Sequence, residues 1–374
     1  MTKATSTSIR QHFSELTDPR RREPSYPLMD MVIMALSAVI CGADDFVAIA
    51  KFVHTKKEWF GTFLDMSKGV PSHDRFNAVF GALRPAEFEK CLLSWITSLH
   101  AVTGGQVIAI DGKTLRRSYD TASSKSAIHM VSAWATMNHI SLGQVVTDAK
   151  SNEITAIPKL LQLIEIHGAL ITIDAMGCQT EIAATIVDLK ADYCLTVKRN
   201  QPTLYDGIDA HFSKYLDTDF ADTKVRRHVS HDTGHGREVD RYSFICPLPK
   251  DLPDQSRWKG LKAIGAVVSI SQRNSKEHTE VRYYILSRYL SGPDFANAVV
   301  AHWGIENNLH WQLDVTFGED QCRLRKGHSD ANFSILRRTA LSLLKNEPTA
   351  KVGIKNKRLM AGWNEDYLAK VLFK

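Results

Sequence analysis

The chain has 374 residues, 44% of them hydrophobic, and 47 Lys and Arg against 41 Asp and Glu give it a net charge of +6. That is enough apolar material for a sizeable core with an added subdomain, which excludes a disordered tail or one small module. Six scattered cysteines without a CxxC pair exclude a disulfide framework and a zinc knuckle, and the modest positive charge suits a polyanionic partner without requiring one.

The opening MTKATSTSIRQHFSELTDPRRR lacks the apolar stretch and cleavage site of a secretory signal. The longest apolar run, Met31 to Ala43, is interrupted by Ser37 and is too short to span a bilayer. A cytoplasmic protein with no membrane contact is expected, and that run reads as a buried helix. From Tyr26 to about His100 apolar residues recur three and four apart, the spacing of amphipathic helices. GVPS, Gly69 to Ser72, breaks the pattern, and Ser72 is placed to cap a helix HDRFNAVFGAL, with Pro85 near the start of the next. Residues 1–103 thus read as an N-terminal helical domain, closed by Gly104 and Gly105.

Beyond that boundary the texture changes to short β-branched runs. QVIAIDG and two strands joined near Asn138 to Ser141 predict an antiparallel meander. A helix ITAIPKLLQLIEIHG, a fully apolar strand ALITIDAMG, a helix TEIAATIVDLKA and a strand DYCLTVKRN follow. The order β-β-β-α-β-α-β predicts an α/β fold of the ribonuclease H-like kind, a mixed sheet with flanking helices, by analogy of element order. From about 200 to 290 the strand-like pieces EVDRYSFICPL, LKAIGAVVSI and TEVRYYILSRY form a β-rich insertion before helical patterning resumes at Pro293. Residues 104–374 therefore read as one domain carrying this insertion.

Asp111 follows VIAI and Asp174 follows ITI, so each carboxylate leaves a buried strand near its carboxyl end, where open α/β sheets place their ligands. Taken singly, either Asp is an ordinary turn residue bonding its own backbone. In HWGIENNLHWQLDVTFGED, His302, Glu306 and His310 recur every four residues and share one helix face, beside an apolar stripe of Ile305, Leu309 and Leu313. Glu306 taken alone better fits a solvated position paired with either His. Together, three crowded carboxylates need cations to neutralise them, and hard oxygen-liking ions such as Mg2+ or Mn2+ fit that donor set. The HExxH signature is absent, which makes zinc the weaker reading.

IDGKTLRRSYD, NEITAIPKLLQLIEIHGALITIDAMGCQTEIA, ADYCLTVKRNQPTLYDGI and HWGIENNLHWQLDVTFGEDQCRLRKG closely resemble segments of the H-repeat-associated insertion-sequence transposases. HFSELTDPRRREPSYPLMDMVIMALSAVICGADD and VPSHDRFNAVFGAL resemble the helical domain before that family's catalytic core, so the likeness covers nearly the whole chain. Val300 stands where the family often carries a basic residue. The resemblance implies a DDE transposase that cleaves insertion-sequence ends and transfers strands into target DNA. Its catalytic, metal-holding acids are Asp111, Asp174 and Glu306, with two Mg2+ or Mn2+ ions and double-stranded DNA as partner.

On that footing Lys113, Arg116 and Arg117 are expected to steer the scissile strand, and His235, Arg237 and Arg241 in the insertion to meet phosphates. His310 is expected to orient Glu306 or a phosphate, Arg323, Arg325 and Lys326 to bind backbone phosphates, and Asp314, Glu319 and Asp320 to brace the motif. The basic DPRRRE and the His73 to Arg75 helix start would give the N-terminal domain its DNA contacts. Paired cleavage of two ends favours a homodimer. A decayed or domesticated DNA-binding relative and a stand-alone metal nuclease are the alternatives.

Overall fold

The computed structural model describes residues 9–21, 24–99, 106–114, 129–147, 153–216, 218–234, 237–273 and 276–373. After helical residues 9–12 come α1 (Leu28–Ile40), α2 (Phe46–Thr55), α3 (Lys57–Gly61), α4 (His73–Ala82) and α5 (Pro85–Leu99). Helix α1 is apolar all round and buried from Asp30 to Ile40, which bears out the reading of its long apolar run. Asp45 caps α2 by accepting from the Ala48 N–H at 2.7 Å, and Ser72 caps α4 from Arg75 as expected.

The sheet begins with the meander β1 (Val107–Thr114), β2 (His129–Ala135) and β3 (Ile140–Thr147). Then come α6 (Glu153–Leu163), β4 (Leu170–Ile173), α7 (Thr180–Asp188), β5 (Asp192–Val197) and α8 (Pro202–Leu216). Strands β6 (Arg226–Gly234), β7 (Arg237–Pro247), β8 (Ala263–Arg273) and β9 (Lys276–Leu286) complete one nine-stranded sheet, in the order β3-β2-β1-β4-β5-β9-β8-β7-β6. The β1–β4 and β4–β5 pairs are parallel and the others antiparallel. The segment read as an insertion is thus no separate layer. Strand β9 pairs with β5, as in Cys194 with Leu286, and satisfies the backbone groups that β5 would otherwise leave unpaired.

Alternate residues of the central strands feed two cores. Ile110, Ile171 and Ile173 join Ile157 of α6 and Ile182 of α7 on one face, while Leu170 and Tyr284 join Phe295 and Val299 of helix α9 (Gly292–Ile305) on the other. Phe295 lies so close over β8 that a Cβ at Gly265 would stand 2.5 Å from its ring.

Helices α10 (Ser329–Asn346), α11 (Ile354–Trp363) and α12 (Glu365–Phe373) close the chain. Helix α10 is buried from Ser329 to Leu344, enclosed by the N-terminal helices and β3. Asn332 donates to the carbonyls of Phe80 (2.7 Å) and Leu83 (2.9 Å), and Phe333 sets its ring edge-on to Phe46. The N-terminal helices therefore share one hydrophobic core with the C-terminal part of the chain. Gly104 and Gly105, read as the boundary, lie outside the described residues, as do residues 115–128.

Candidate active site

Parallel pairing of β1 with β4 sets Ile110 against Ile173, so Asp111 and Asp174 leave the last matched pair side by side. Strand β1 runs on to Thr114, where sequence alone placed an abrupt stop, while β4 ends at Ile173. A notch opens beside β1 just past that end. Each Asp also makes the turn bond of its simpler reading: Asp111 Oδ1 accepts from the Gly112 N–H at 2.9 Å, and Asp174 Oδ1 from Met176 at 3.0 Å. Those bonds leave the second oxygen of each carboxylate for other partners.

Helix α9 crosses the face that Asp111 points to. Ser291 caps it by accepting from Asp294, and Pro293 fits its first turn. His302 Nδ1 reaches Thr172 Oγ1 of β4 at 3.2 Å, which registers the helix on the sheet. Past Ile305 the α-helix widens into π turns over Glu306–His310 and Gln312–Thr316. The expectation that His302, Glu306 and His310 share one face is altered by that widening. Ile305, Leu309 and Leu313 stay buried as expected, Glu306 is exposed, and His310 turns inward until its Nδ1 lies 3.5 Å from Asp111 Oδ2. His310 therefore neighbours Asp111, where the sequence suggested Glu306.

The electrostatics tie distant parts of the chain together. Burial pushes the Asp111 carboxyl up to about 7; the Gly112 N–H opposes this, and the negative charges of Asp174, Glu153 and Glu306 add to it. Burial, helped by Arg338 and Lys113, pushes His310 down to about 3, so its ring is neutral. Among the described residues no three His, Cys, Asp or Glu side chains form a ready-made metal cage. The donors that Asp111 feels are all carboxylates, however, and their mutual repulsion is the charge pattern that a hard divalent ion relieves.

The basic residues fall in different places. Lys113 is buried; its ammonium donates to Glu319 Oε2 at 2.9 Å and also to Asp314. Its position is that of a brace between β1 and the segment after the π turns, not of a free cation facing a strand of DNA. Glu319 bonds Ser334 and lies near Arg338; burial alone would raise its carboxyl, but Arg338 and Lys113 prevail and hold it at about 2. Arg241 pairs with Asp232 and, with Arg282, flanks the Trp303 ring at 5.1 and 4.7 Å. Arg323 and Lys326 are exposed, Arg325 is half-buried, and Val300 is exposed on α9. Arg116, Arg117 and His235 lie outside the described residues, as does the side chain of Arg237 on β7.

One acid in the field of Asp111 was not singled out from sequence. Glu153 opens α6 and is buried, with Oε1 2.5 Å from His129 Nε2. The only hint was its place at the head of an apolar helix, which reads equally as a capping position. No single sequence carries the pairing that brings β1 under that helix.

Residues 103–343 match the family described as "Transposase DDE domain", and residues 10–96 match the domain described as "DDE_Tnp_1-associated". The chain is 39% identical over 370 residues to "Putative transposase YncI" of Escherichia coli O157:H7, covering 98% of this chain and 94% of that protein. It is 38% identical over 371 residues to "H repeat-associated putative transposase YhhI" of Escherichia coli strain K12, covering 97% of each. No helix among the described residues is long and apolar enough to cross a membrane. With a family match spanning most of the chain and relatives aligned along nearly all of it, the chain belongs to the DDE transposase family.

Proposed function

We propose that this protein is an active transposase that cuts the ends of its insertion sequence and joins them to target DNA, with Asp111, Asp174 and Glu306 as the acids that hold two Mg2+ or Mn2+ ions. The observation that carries the reading is the β1–β4 register, which brings Asp111 and Asp174 together although they lie 63 positions apart; the Asp111 carboxyl, raised chiefly by burial, also feels the charges of Asp174, Glu153 and Glu306. The strand order β3-β2-β1-β4-β5, with helices on both faces, supports a ribonuclease H-like core. Bound ions of this type activate an attacking hydroxyl or water and offset charge at the phosphate.

The remaining work falls to the chain itself. Asp111 stands beside the π turns, Asp174 flanks it from the end of β4, and exposed Glu306, at the start of the π turns, is read as the third acid. Neutral His310 steadies Asp111 without adding positive charge, and Lys113 holds the segment after Glu306 against β1. Arg323, Arg325 and Lys326, with Arg241 and its neighbours His235 and Arg237 and with Arg116 and Arg117, are read as the phosphate-contacting set around double-stranded DNA. Residues 1–103 are read as a DNA-binding part braced by the common core, the site of action as the cytoplasmic nucleoid, and the active complex as a dimer.

The test uses duplexes carrying the inverted repeats that flank the coding region. Wild type with Mg2+ is expected to give nicked and joined products; D111N, D174N and E306Q lose both yet still shift the duplex in a gel. Nicks without joined products would point to a stand-alone nuclease, and binding without cleavage by wild type to a domesticated relative.

A further inference from the structure

Strand β1 presents two faces at the notch. Asp111 and Lys113 point toward α9 and the π turns; Gly112 and Thr114 point the other way, toward α6. On that second face Glu153 and His129 lie directly on Gly112. A Cβ built there would meet the Glu153 carboxylate within a forbidden distance and stand 2.6 Å from His129 Nε2. Gly112 follows Asp111 directly, and β4 pairs with β1 only as far as Ile110, so no β4 partner stands beside either residue. Glu153 thus lies against the residue next to Asp111.

His129 is the register partner of Thr114 on β2, and its Nδ1 lies 2.8 Å from Thr114 Oγ1. That contact fixes the ring with Nε2 toward Glu153, 2.5 Å from its Oε1. The approach is not aligned as a hydrogen bond, and Nε2, on a side chain only 2% exposed, has no other hydrogen-bond partner among the described residues. A buried imidazole nitrogen left unaligned and a buried carboxylate pressed on glycine form a costly pair unless a further group engages the carboxylate.

We propose that Glu153 is a fourth acid of the site and shares in holding the divalent ions, with His129 as the positioning residue that keeps its carboxylate beside Gly112. The inference rests on the metal-dependent reading above and deepens it. Asp111, Asp174 and Glu306 bring three negative charges, whereas two divalent ions bring four positive ones; Glu153, buried beside Gly112, brings a fourth negative charge. Its charge also bears on Asp111 more strongly than that of Glu306.

The measurement is Mn2+ binding to the full-length protein, by calorimetry and by the spectroscopic signal of free Mn2+, with thermal melts in EDTA as a check on folding. E153Q is expected to lose one ion or to bind about tenfold or more weakly, with its melting point in EDTA unchanged or raised. H129Q, which frees the carboxylate without removing it, should lose less. Wild-type Mn2+ affinity in folded E153Q overturns the inference. Should E153Q fail to fold, E153D decides: weakened binding in a folded protein supports the role, and unchanged binding overturns it. A wild type that binds no Mn2+, or a D111N that binds as wild type does, defeats the metal-dependent reading itself, an outcome distinct from failure at Glu153 alone.

Discussion

His310 Nδ1 sits 3.5 Å from Asp111 Oδ2, and the two groups are displaced in opposite directions, His310 down to about 3 and Asp111 up to about 7. At neutral pH a ring without charge therefore faces a carboxyl that is close to half-titrated. In the metal-free protein Mn2+ must displace that proton, so Mn2+ affinity should weaken as pH falls from 8 to 5. H310Q is expected to keep this pH dependence while kcat falls by about tenfold to a hundredfold. A pH dependence of Mn2+ binding that vanished in H310Q would show His310 to be the titrating group.

Asp111 also sets a pH dependence of stability. Its carboxyl lies at about 7 when folded against an ordinary 3.8, so between roughly pH 4 and 7 the folded state keeps a proton that the unfolded chain has released. Stability from this group is present below that window and is lost as pH rises through it. Melting points in EDTA should fall more steeply for wild type than for D111N from pH 5 to 8. Added Mn2+ at pH 8 should raise the wild type and leave D111N nearly unmoved.

Lys113 distinguishes bracing from DNA steering. Its ammonium meets Glu319, whose carboxylate is fully enclosed, so K113A removes one of the cations, with Arg338 and Arg337, that hold this buried charge. A loss of about 3 kcal/mol in denaturant unfolding is expected, with nonspecific DNA affinity little changed in whatever protein remains folded. Normal stability with weakened DNA binding would return Lys113 to the role of a phosphate contact.

Gly112 admits no side chain. G112A forces its new methyl into Glu153 and His129, and overpacking of this kind costs about 1–3 kcal/mol. Cleavage should fall far more than stability, because the displaced strand carries Asp111. Product yield and thermal midpoint measured on one preparation check the difference.

Removing the N-terminal helices should not liberate a working catalytic domain. Helix α10 would lose its packing against α1, α4 and α5, and Arg358 would lose the Val39 carbonyl to which it donates at 3.0 Å. A fragment 104–374 is expected to show no cooperative thermal transition, and one that melts sharply would show the two parts to be independent.

Much of the architecture was legible. Ser72, the apolar run from Met31 and Asp174 just past β4 each carry local signals of capping, burial or strand termination, and the structure has them where the sequence suggested, whereas Asp111 lies inside a strand that runs on to Thr114. Strand β6 was missed because RRHVSHDTG holds little apolar residue besides Val229, which is itself exposed on an edge strand. The pairing of β9 with β5 was equally invisible, since which strand covers which edge is a long-range choice. The π turns escaped because a four-residue recurrence fits an α-helix, and only the inward turn of His310 distinguishes the wider form. Glu153 stayed hidden for the same reason as β9: its importance arises from a neighbour far away in sequence.

Because the distal hairpin belongs to the same sheet as the strand preceding Asp174, it is no hinged flap. A pull on β6 or β7 would travel through cross-strand amide ladders to the strand that carries Asp111. Under the proposed function, a duplex held at those two strands would be geared to the acids, and engagement and alignment would become one movement.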